Sequence, residues 1–196
     1  MTHRLSLLYS LLLSGILLTI STYITAADTP TASMLANTCA GCHGTNGSSV
    51  GPASPTIAGI SKTYFIDTMV AYKKGERPAT IMTRIAKGYS DEEIKLMADF
   101  FSKQTFVRYD QQFDAAKAKT GKDLHTKYCD KCHENAGRSA EDDAGILAGQ
   151  WMPYLEEQFE EYKSGKRPMP KKMEPKIDKL SADDIKALIN YYGSFQ

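Results

Sequence analysis

The stretches Cys39-Ala-Gly-Cys42-His43 and Cys129-Asp-Lys-Cys132-His133 decide the fold of this 196-residue chain. In each stretch two cysteines stand three positions apart and a histidine follows the second cysteine directly. These four cysteines are all that the chain contains, so none is left over for another purpose. The two stretches lie 90 residues apart, which is the first sign that the chain repeats itself.

A Cys-x-x-Cys-His pattern is the attachment signature of c-type haem. Two thioethers must reach the vinyl groups on one porphyrin edge, while the next imidazole turns onto the iron from one face. Disulfides, a redox dithiol and a four-cysteine zinc site are the competing interpretations of such cysteine pairs. The histidine after each pair decides against them. The sequence therefore predicts two covalently bound haem c groups, with Cys39, Cys42, Cys129 and Cys132 as thioethers and His43 and His133 as iron ligands.

The offset of 90 residues continues well past the two motifs. Ile57-Ala58-Gly59 corresponds to Leu147-Ala148-Gly149, and the run from Tyr72 to Pro78 corresponds to the run from Tyr162 to Pro168. A shared register of this length predicts a duplicated unit rather than a solenoid of short repeats. We expect an N-terminal domain at residues 28–105 and a C-terminal domain at residues 106–196.

Capping signals and apolar periodicity predict an all-α fold. Thr29-Pro30 is a favourable helix start. Ser61 can cap a helix that runs to about Lys74, with Gly75 as its stop. Two further helices open at Ser90, in a capping box with Glu93, and at Ser181, aided by Asp184. Their expected inner faces have helical spacing and comprise Ile94, Met97, Ala98 and Phe101 in one helix and Ile185, Leu188, Ile189 and Tyr192 in the other.

Residues 1–27 read as a secretory signal peptide. Arg4 precedes an almost wholly apolar run from Leu5 to Ile20, and small residues follow up to a cut after Ala27 or one residue earlier. The competing interpretation is an uncleaved membrane anchor, for which the apolar run is somewhat short. We expect a periplasmic protein that does not span the membrane after cleavage. Its formal net charge of +1 argues against nucleic-acid binding.

Spacing selects the second iron ligand in each half. Met82 lies 39 residues after His43 and 8 before Ser90, while Met173 lies 40 residues after His133 and 8 before Ser181. A one-residue insertion after Pro168 explains the difference. We therefore predict Met82 as a ligand of the first iron and Met173 as a ligand of the second.

Other candidate ligands are weaker. Met169, within Pro-Met-Pro, is the rival of Met173. Met69 and Met97 lie on apolar helix faces and are expected in the core. His125 is the only spare histidine after the signal, so the chain cannot supply two bis-histidine haems; we interpret it as a surface or propionate-contact residue. Trp151 is expected either to cover the second haem or to fill the core.

Several segments resemble the haem subunit of flavocytochrome c sulfide dehydrogenase. They are NTCAGCHGTNGSSVGPASPTIA (37–58), TIMTRIAKGYS (80–90), LHTKYCDKCHE (124–134), ILAGQWMPYLEEQF (146–159) and KRPMPKKM (166–173). The resemblance covers roughly residues 30–195. It implies two class I cytochrome c-type domains in tandem. It also implies that a proline carbonyl, expected at Pro52, anchors the first haem histidine, whereas the second half has Asp142 at that register.

The same resemblance implies a heterodimer with an FAD-binding flavoprotein subunit that oxidises sulfide. This chain would accept the electrons, pass them to a soluble cytochrome c or similar acceptor, and be non-catalytic alone. A free-standing two-haem periplasmic carrier is the alternative function. A two-haem peroxidase is a third, and two methionine-ligated irons without an open site argue against it.

Overall fold

Helices and turns make up residues 30–196, the part of the chain that the computed structural model describes, and this part contains no strand. The predicted signal peptide lies outside the described residues. In the N-terminal half the helices are α1 (Ala32–Asn37), α2 (Ala40–His43), α3 (Lys62–Lys74), α4 (Met82–Ile85) and α5 (Asp91–Phe101). In the C-terminal half they are α6 (Ala115–Tyr128), α7 (Glu134–Gly137), α8 (Met152–Lys163), α9 (Glu174–Ile177) and α10 (Ala182–Gly193).

The predicted boundaries of α3 are confirmed, and those of α1 are wrong by two residues. The Ser61 side chain accepts a hydrogen bond from the backbone of Tyr64, and Gly75 ends α3 in the left-handed conformation, with φ at 76°. Helix α1 begins at Ala32, where Thr31 is the capping residue. The Thr29-Pro30 pair predicted a cap at Thr29, and Thr31 takes that role instead.

The predicted capping box at Ser90 and the predicted cap at Ser181 are both present. In α5 the Ser90 hydroxyl accepts from the backbone of Glu93, and the Glu93 carboxylate accepts from the backbone of Ser90. The same reciprocal pair joins Ser181 and Asp184 at the start of α10. All eight residues expected on the inner faces of these two helices are buried. The amphipathic patterns therefore fix how α5 and α10 lie in their domains.

Each half forms its own core where its first helix packs against its last long helix. Helix α1 packs on α5, and α6 packs on α10. The second contact is especially close, because a Cβ added at Gly121 would lie 2.1 Å from the carbonyl oxygen of Ala187. A larger residue at Gly121 would therefore push α6 off α10. Among residues 30–196 no helix is long and apolar enough to cross a membrane.

A buried glutamine joins the two halves of the compact unit formed by residues 31–196. The Gln150 side chain accepts from the backbone N–H of Thr56 at 2.9 Å and donates to the Thr56 carbonyl at 3.0 Å. Beside it, the Trp151 indole N–H donates to the carbonyl of Ser49 at 3.1 Å. Trp151 therefore ties the C-terminal half to the N-terminal half, a role that neither of its two expected positions included.

Replacing Gln150 by alanine should destabilise the protein by about 2–4 kcal/mol, because two buried peptide groups of Thr56 would lose their partners. Urea unfolding followed by circular dichroism measures this loss. Gln112→Ala is the control, since Gln112 is exposed, and its free energy of unfolding should stay within about 0.5 kcal/mol of the parent. Equal stability of the two variants would contradict a stabilising role for the Gln150 pair.

Candidate haem-binding sites

The two Cys-x-x-Cys-His motifs form the same turn. The His43 N–H donates to the carbonyl of Cys39 at 2.9 Å, and the His133 N–H donates to the carbonyl of Cys129 at 2.9 Å. In both motifs the first cysteine is partly buried and the second is exposed. None of the four cysteines is in a disulfide. The turn therefore holds two thiols and one imidazole in a fixed arrangement in each half.

A backbone carbonyl orients each histidine ring. His43 donates from Nδ1 to the carbonyl of Pro55 at 2.8 Å, so the expectation of Pro52 is wrong. His133 Nδ1 donates to the carbonyl of Gly145 at 3.3 Å. Pro55 and Gly145 are 90 residues apart, so the second half keeps the contact although it lacks the proline. Asp142 instead accepts a hydrogen bond from Ser61.

This contact decides which nitrogen is free. A ring that donates from Nδ1 keeps the lone pair of Nε2 for a metal, and such an outer contact also fixes the ring plane. Burial lowers the pKa of both His43 and His133, and the bond to the carbonyl opposes this in each case. The neutral imidazole, which is the form that ligates iron, is therefore favoured in both halves.

The two predicted methionines occupy matching places. Met82 is the first residue of α4 and Met173 caps α9, and both are partly buried. Met82 packs with Cys39 against the N-terminal core, and Met173 packs with Cys129 against the C-terminal core. Met169 packs against the same C-terminal core as Met173, so the choice between these two stays a prediction.

Two of the other methionines behave as expected. Met69 and Met97 are buried in the N-terminal core, which confirms their interpretation as packing residues. They leave Met82 as the partly buried thioether next to the first motif. No further group of three or more histidine, cysteine or acidic side chains suited to a metal occurs among the described residues.

A buried arginine between the halves also fits a haem. Arg77 is 5% exposed and donates to the Tyr154 hydroxyl at 3.1 Å and to Gln158 at 2.7 Å, but its Nε has no partner. Buried Glu161 already places negative charge near Arg77, and a haem carboxylate would supply a direct partner for the Nε of this buried cation. Arg167, the matching residue of the second half, also donates to Gln158 and stacks on Tyr162. Covalent haem suits the groups found here, which are the free thiols, the neutral imidazoles, the methionine thioethers and these arginines.

Sequence reasoning missed this cluster, although its signal was present. The runs from Tyr72 to Pro78 and from Tyr162 to Pro168, which contain both arginines, indicated only the register of the repeat, and Tyr64 and Tyr154 stand at matching positions before them. Tyrosine and arginine at repeated positions of a duplicated chain can meet where the copies pack together, and here they do.

His125 is buried, so its interpretation as a surface residue is wrong. It is 2% exposed, and its two ring nitrogens lie 3.0 Å from the Tyr192 hydroxyl and 3.2 Å from the Asp130 carboxylate. A carboxylate can only accept, so Nε2 carries the proton and Nδ1 accepts from Tyr192. The N-terminal half has buried Leu35 and Phe101 at the corresponding positions. The second half therefore has a hydrogen-bonded chain where the first is apolar.

Comparison with known proteins gives the same picture. Residues 31–105 match the family model "Cytochrome c", and residues 116–191 match "Cytochrome C oxidase, cbb3-type, subunit III". A cytochrome c4 of Stutzerimonas stutzeri is 30% identical over 176 residues, which cover 78% of this chain and 82% of that protein. The cytochrome subunit of sulfide dehydrogenase from Chlorobaculum tepidum is 46% identical over 68 residues, or 35% of this chain and 61% of that subunit.

A solved structure agrees over almost the whole described chain. The crystal structure of reduced recombinant cytochrome c4 from Pseudomonas stutzeri superposes with a TM-score of 0.73 at 27% identity, covering 86% of this chain and 100% of that one. The all-α fold of two tandem cytochrome c domains is thereby confirmed, and with it two covalently bound haem c groups in this protein.

The buried His125 predicts a pH-dependent stability. Burial lowers its pKa, and the bond to Asp130 only partly offsets this. Below the unfolded-state pKa of about 6.5 the unfolded chain binds the proton more readily, so stability should fall as pH drops toward the folded-state value. His125→Leu, which copies Leu35, should flatten this loss in urea unfolding at pH values between about 7 and 5. Thr126→Leu, exposed on the same helix, is the control; the same slope in both variants would contradict the assignment.

Proposed function

The chain belongs to the cytochrome c family, with two cytochrome c domains in tandem, and we propose that it is the dihaem electron-transfer subunit of a sulfide-oxidising flavocytochrome. It accepts electrons from an FAD-containing subunit and passes them to a soluble acceptor. The observation that carries this proposal is the 46% identity with the cytochrome subunit of sulfide dehydrogenase. That match spans 61% of the relative's length, so the flavoprotein partner and the use of sulfide are parts of the proposal.

The residue roles that we propose follow the matching geometry of the two halves. Cys39 and Cys42 form the thioethers of the first haem, with His43 and Met82 on its iron. In the second haem the corresponding residues are Cys129, Cys132, His133 and Met173. When bound, each haem supplies one-electron ferric–ferrous chemistry. The carbonyls of Pro55 and Gly145 hold the histidine rings, and the thioethers favour a higher reduction potential than a second histidine would.

Methionine ligation would also define what the chain does not do. With Met82 and Met173 as ligands, neither haem iron would have a site for sulfide, oxygen or peroxide. Sulfide oxidation then belongs to the flavoprotein, and this chain is non-catalytic alone. We place the complex in the periplasm, after removal of residues 1–27, and assign residues 28–105 and 106–196 to the two haem domains.

A free-standing two-haem carrier is the second candidate. The cytochrome c4 alignment extends over 78% of this chain, a much longer stretch than the sulfide dehydrogenase match. Both functions use the same two haems and differ only in the electron donor. Co-purification of an FAD-binding protein from native periplasm separates them.

Methionine ligation predicts the response to histidine substitution. Met82→His and Met173→His should each lower the potential of one haem by on the order of 0.1–0.3 V, a fraction of the range that axial ligands span. Spectroelectrochemical titration measures this shift. Each variant should also lose part of the weak red absorption band of the methionine–iron bond. If Met169→Ala removes that band and Met173→Ala keeps it, the assignment in the second half is wrong.

The assignment of sulfide oxidation to the flavoprotein and of electron transfer to this chain predicts the result of mixing the two subunits. The isolated haem-loaded chain should show no catalytic turnover of sulfide. Addition of an FAD-binding subunit purified from native periplasm should give a stable complex in which sulfide reduces both haems, as followed by their absorption bands. The flavoprotein alone, with the acceptor but without this chain, is the control. Rapid sulfide turnover by the isolated chain would contradict the proposal, and failure of any flavoprotein to bind would favour the free carrier.

A further inference from the structure

The segments that carry the two methionines differ in exposed charge. Arg77 lies in the first segment and Arg167 in the second, and both take part in the cluster between the halves. Apart from these, the first segment, residues 76–88, exposes Glu76, Arg84 and Lys87, for a net charge of +1. The second, residues 166–179, exposes Lys166, Lys171, Lys172, Lys176 and Lys179 with Glu174 and Asp178, for a net charge of +3. The duplicated positions have therefore diverged toward positive charge in the second half.

The divergence is sharpest beside the methionines. With the offset of 91 that aligns the two methionines, Ile81 corresponds to Lys172 and Ile85 to Lys176. The two isoleucines are 47% and 37% exposed, and the side chain of Lys172 is 80% exposed. The exposed positions one residue before and three residues after the methionine are therefore apolar in the first half and basic in the second.

The lysines stand close to the second haem motif. Lys131 is exposed between Cys129 and Cys132, where the first motif has Gly41. The ammonium of Lys172 lies 3.4 Å from the carboxylate of Asp143, which stands two residues before Gly145, the residue whose carbonyl orients the His133 ring. Lys176 follows Met173 by three residues in α9, and both Cys129 and Met173 pack against the same core. The lysines therefore flank the second haem motif and its methionine, with Asp130 and Asp143 interspersed among them.

This positive charge is local. Residues 110–196 contain 14 basic and 16 acidic residues, and 6 of the basic but only 2 of the acidic ones lie in residues 166–179. The rest of this half is left with 8 basic and 14 acidic residues, a net charge of −6. A uniformly basic surface would point to a general affinity for anions. A basic face on an acidic domain instead orients the domain toward a partner of opposite charge.

We propose that Lys131, Lys171, Lys172 and Lys176, the lysine face, form the docking site for a soluble redox protein with an acidic surface. The proposal rests on the electron-transfer function proposed above. In each encounter the partner gains one electron and the second domain loses one, while no bond or proton changes place. The second domain then delivers electrons to the acceptor, and the first receives them.

Exposed lysines suit this contact better than the apolar positions of the first half. Long-range attraction between exposed charges speeds association and is screened by salt, whereas it adds little to the lifetime of a complex. A carrier that must release its partner after one electron needs this combination. An anionic membrane surface is the other basic-patch ligand, but an extended anionic surface would also approach the acidic remainder of this half, which a small protein that contacts only the lysine face avoids.

The first test measures binding without electron transfer. The haem-loaded chain and an acidic plastocyanin, both kept reduced, are titrated by calorimetry at low ionic strength. Lys172→Glu with Lys176→Glu should weaken the complex about tenfold, and the difference should vanish at high salt. The control is Lys119→Glu with Lys122→Glu, which makes the same change in net charge on exposed positions of α6. Equal weakening in the control would show that only total charge matters and would overturn the proposal.

The second test measures the rate of electron transfer. The chain is reduced chemically, mixed with oxidised acidic plastocyanin and followed by stopped flow. The lysine-face variant should react about tenfold more slowly than the control at low salt. Unchanged rates, or loss of binding to phosphatidylglycerol vesicles without a change in rate, would overturn the proposal. Neither test uses sulfide or a flavoprotein, so a failure of the proposed function in reconstitution remains distinguishable from a failure of the lysine face.

Discussion

The structure depends on one turn that must present two sulfur atoms and one imidazole to a single flat group. The bond from the histidine N–H to the carbonyl of the first cysteine, 2.9 Å in both halves, closes this turn. Each half has too few residues to bury a large core by itself. A covalently fixed porphyrin adds a rigid apolar body, so the helix crossings and the methionine segments are arranged around the turn. The haem is therefore as much a part of the core as a part of the function.

The second organising feature is the packing of one copy against the other. Thr56 and Gln150 form a buried polar pair across the boundary. Their counterparts under the offset of 90 are Ile146 and Ile60, and both of these are buried in one apolar cluster. The same boundary thus has a polar side and an apolar side, although the two copies began with equivalent positions. Arg77 adds a buried charge between the two halves and shares Gln158 as a hydrogen-bond acceptor with the partly buried Arg167.

Contacts between residues close together in the sequence could be predicted, whereas contacts between residues far apart in the sequence could not. The caps at Ser61, Ser90 and Ser181 and the two inner faces were predicted correctly because a cap and its partner are three residues apart, whereas the start of α1 was placed two residues too early. The anchor of His43 was assigned to Pro52 and is Pro55, because a carbonyl acceptor is chosen by the path of the loop and any residue can provide one; Gly145 does so in the second half. The partner of Trp151 is 102 residues away, and no local pattern predicts such a contact.

The burial of His125 could have been predicted from the repeat but not from the second haem motif alone. Because it lies four residues before Cys129, His125 was expected at the surface or beside a haem carboxylate. The 90-residue register matches it to Leu35, which is buried in the N-terminal half. The burial of His125 follows from the packing of α6 against α10, and its polarity is tolerated because Tyr192 and Asp130 satisfy both ring nitrogens.

The positions where the copies differ are thus the most informative about function. Shared positions, namely the cysteines, histidines, methionines and caps, build the same haem-binding fold twice. Differences on the outer surface, with Ile81 and Ile85 replaced by Lys172 and Lys176, change what can approach each methionine segment. Two haems in series meet two different neighbours, an electron donor and an electron acceptor, and the direction of transfer follows from the reduction potentials of these partners. In the docking arrangement that we propose, the divergence in surface charge lets the acceptor be recognised at the second half while the fold stays the same.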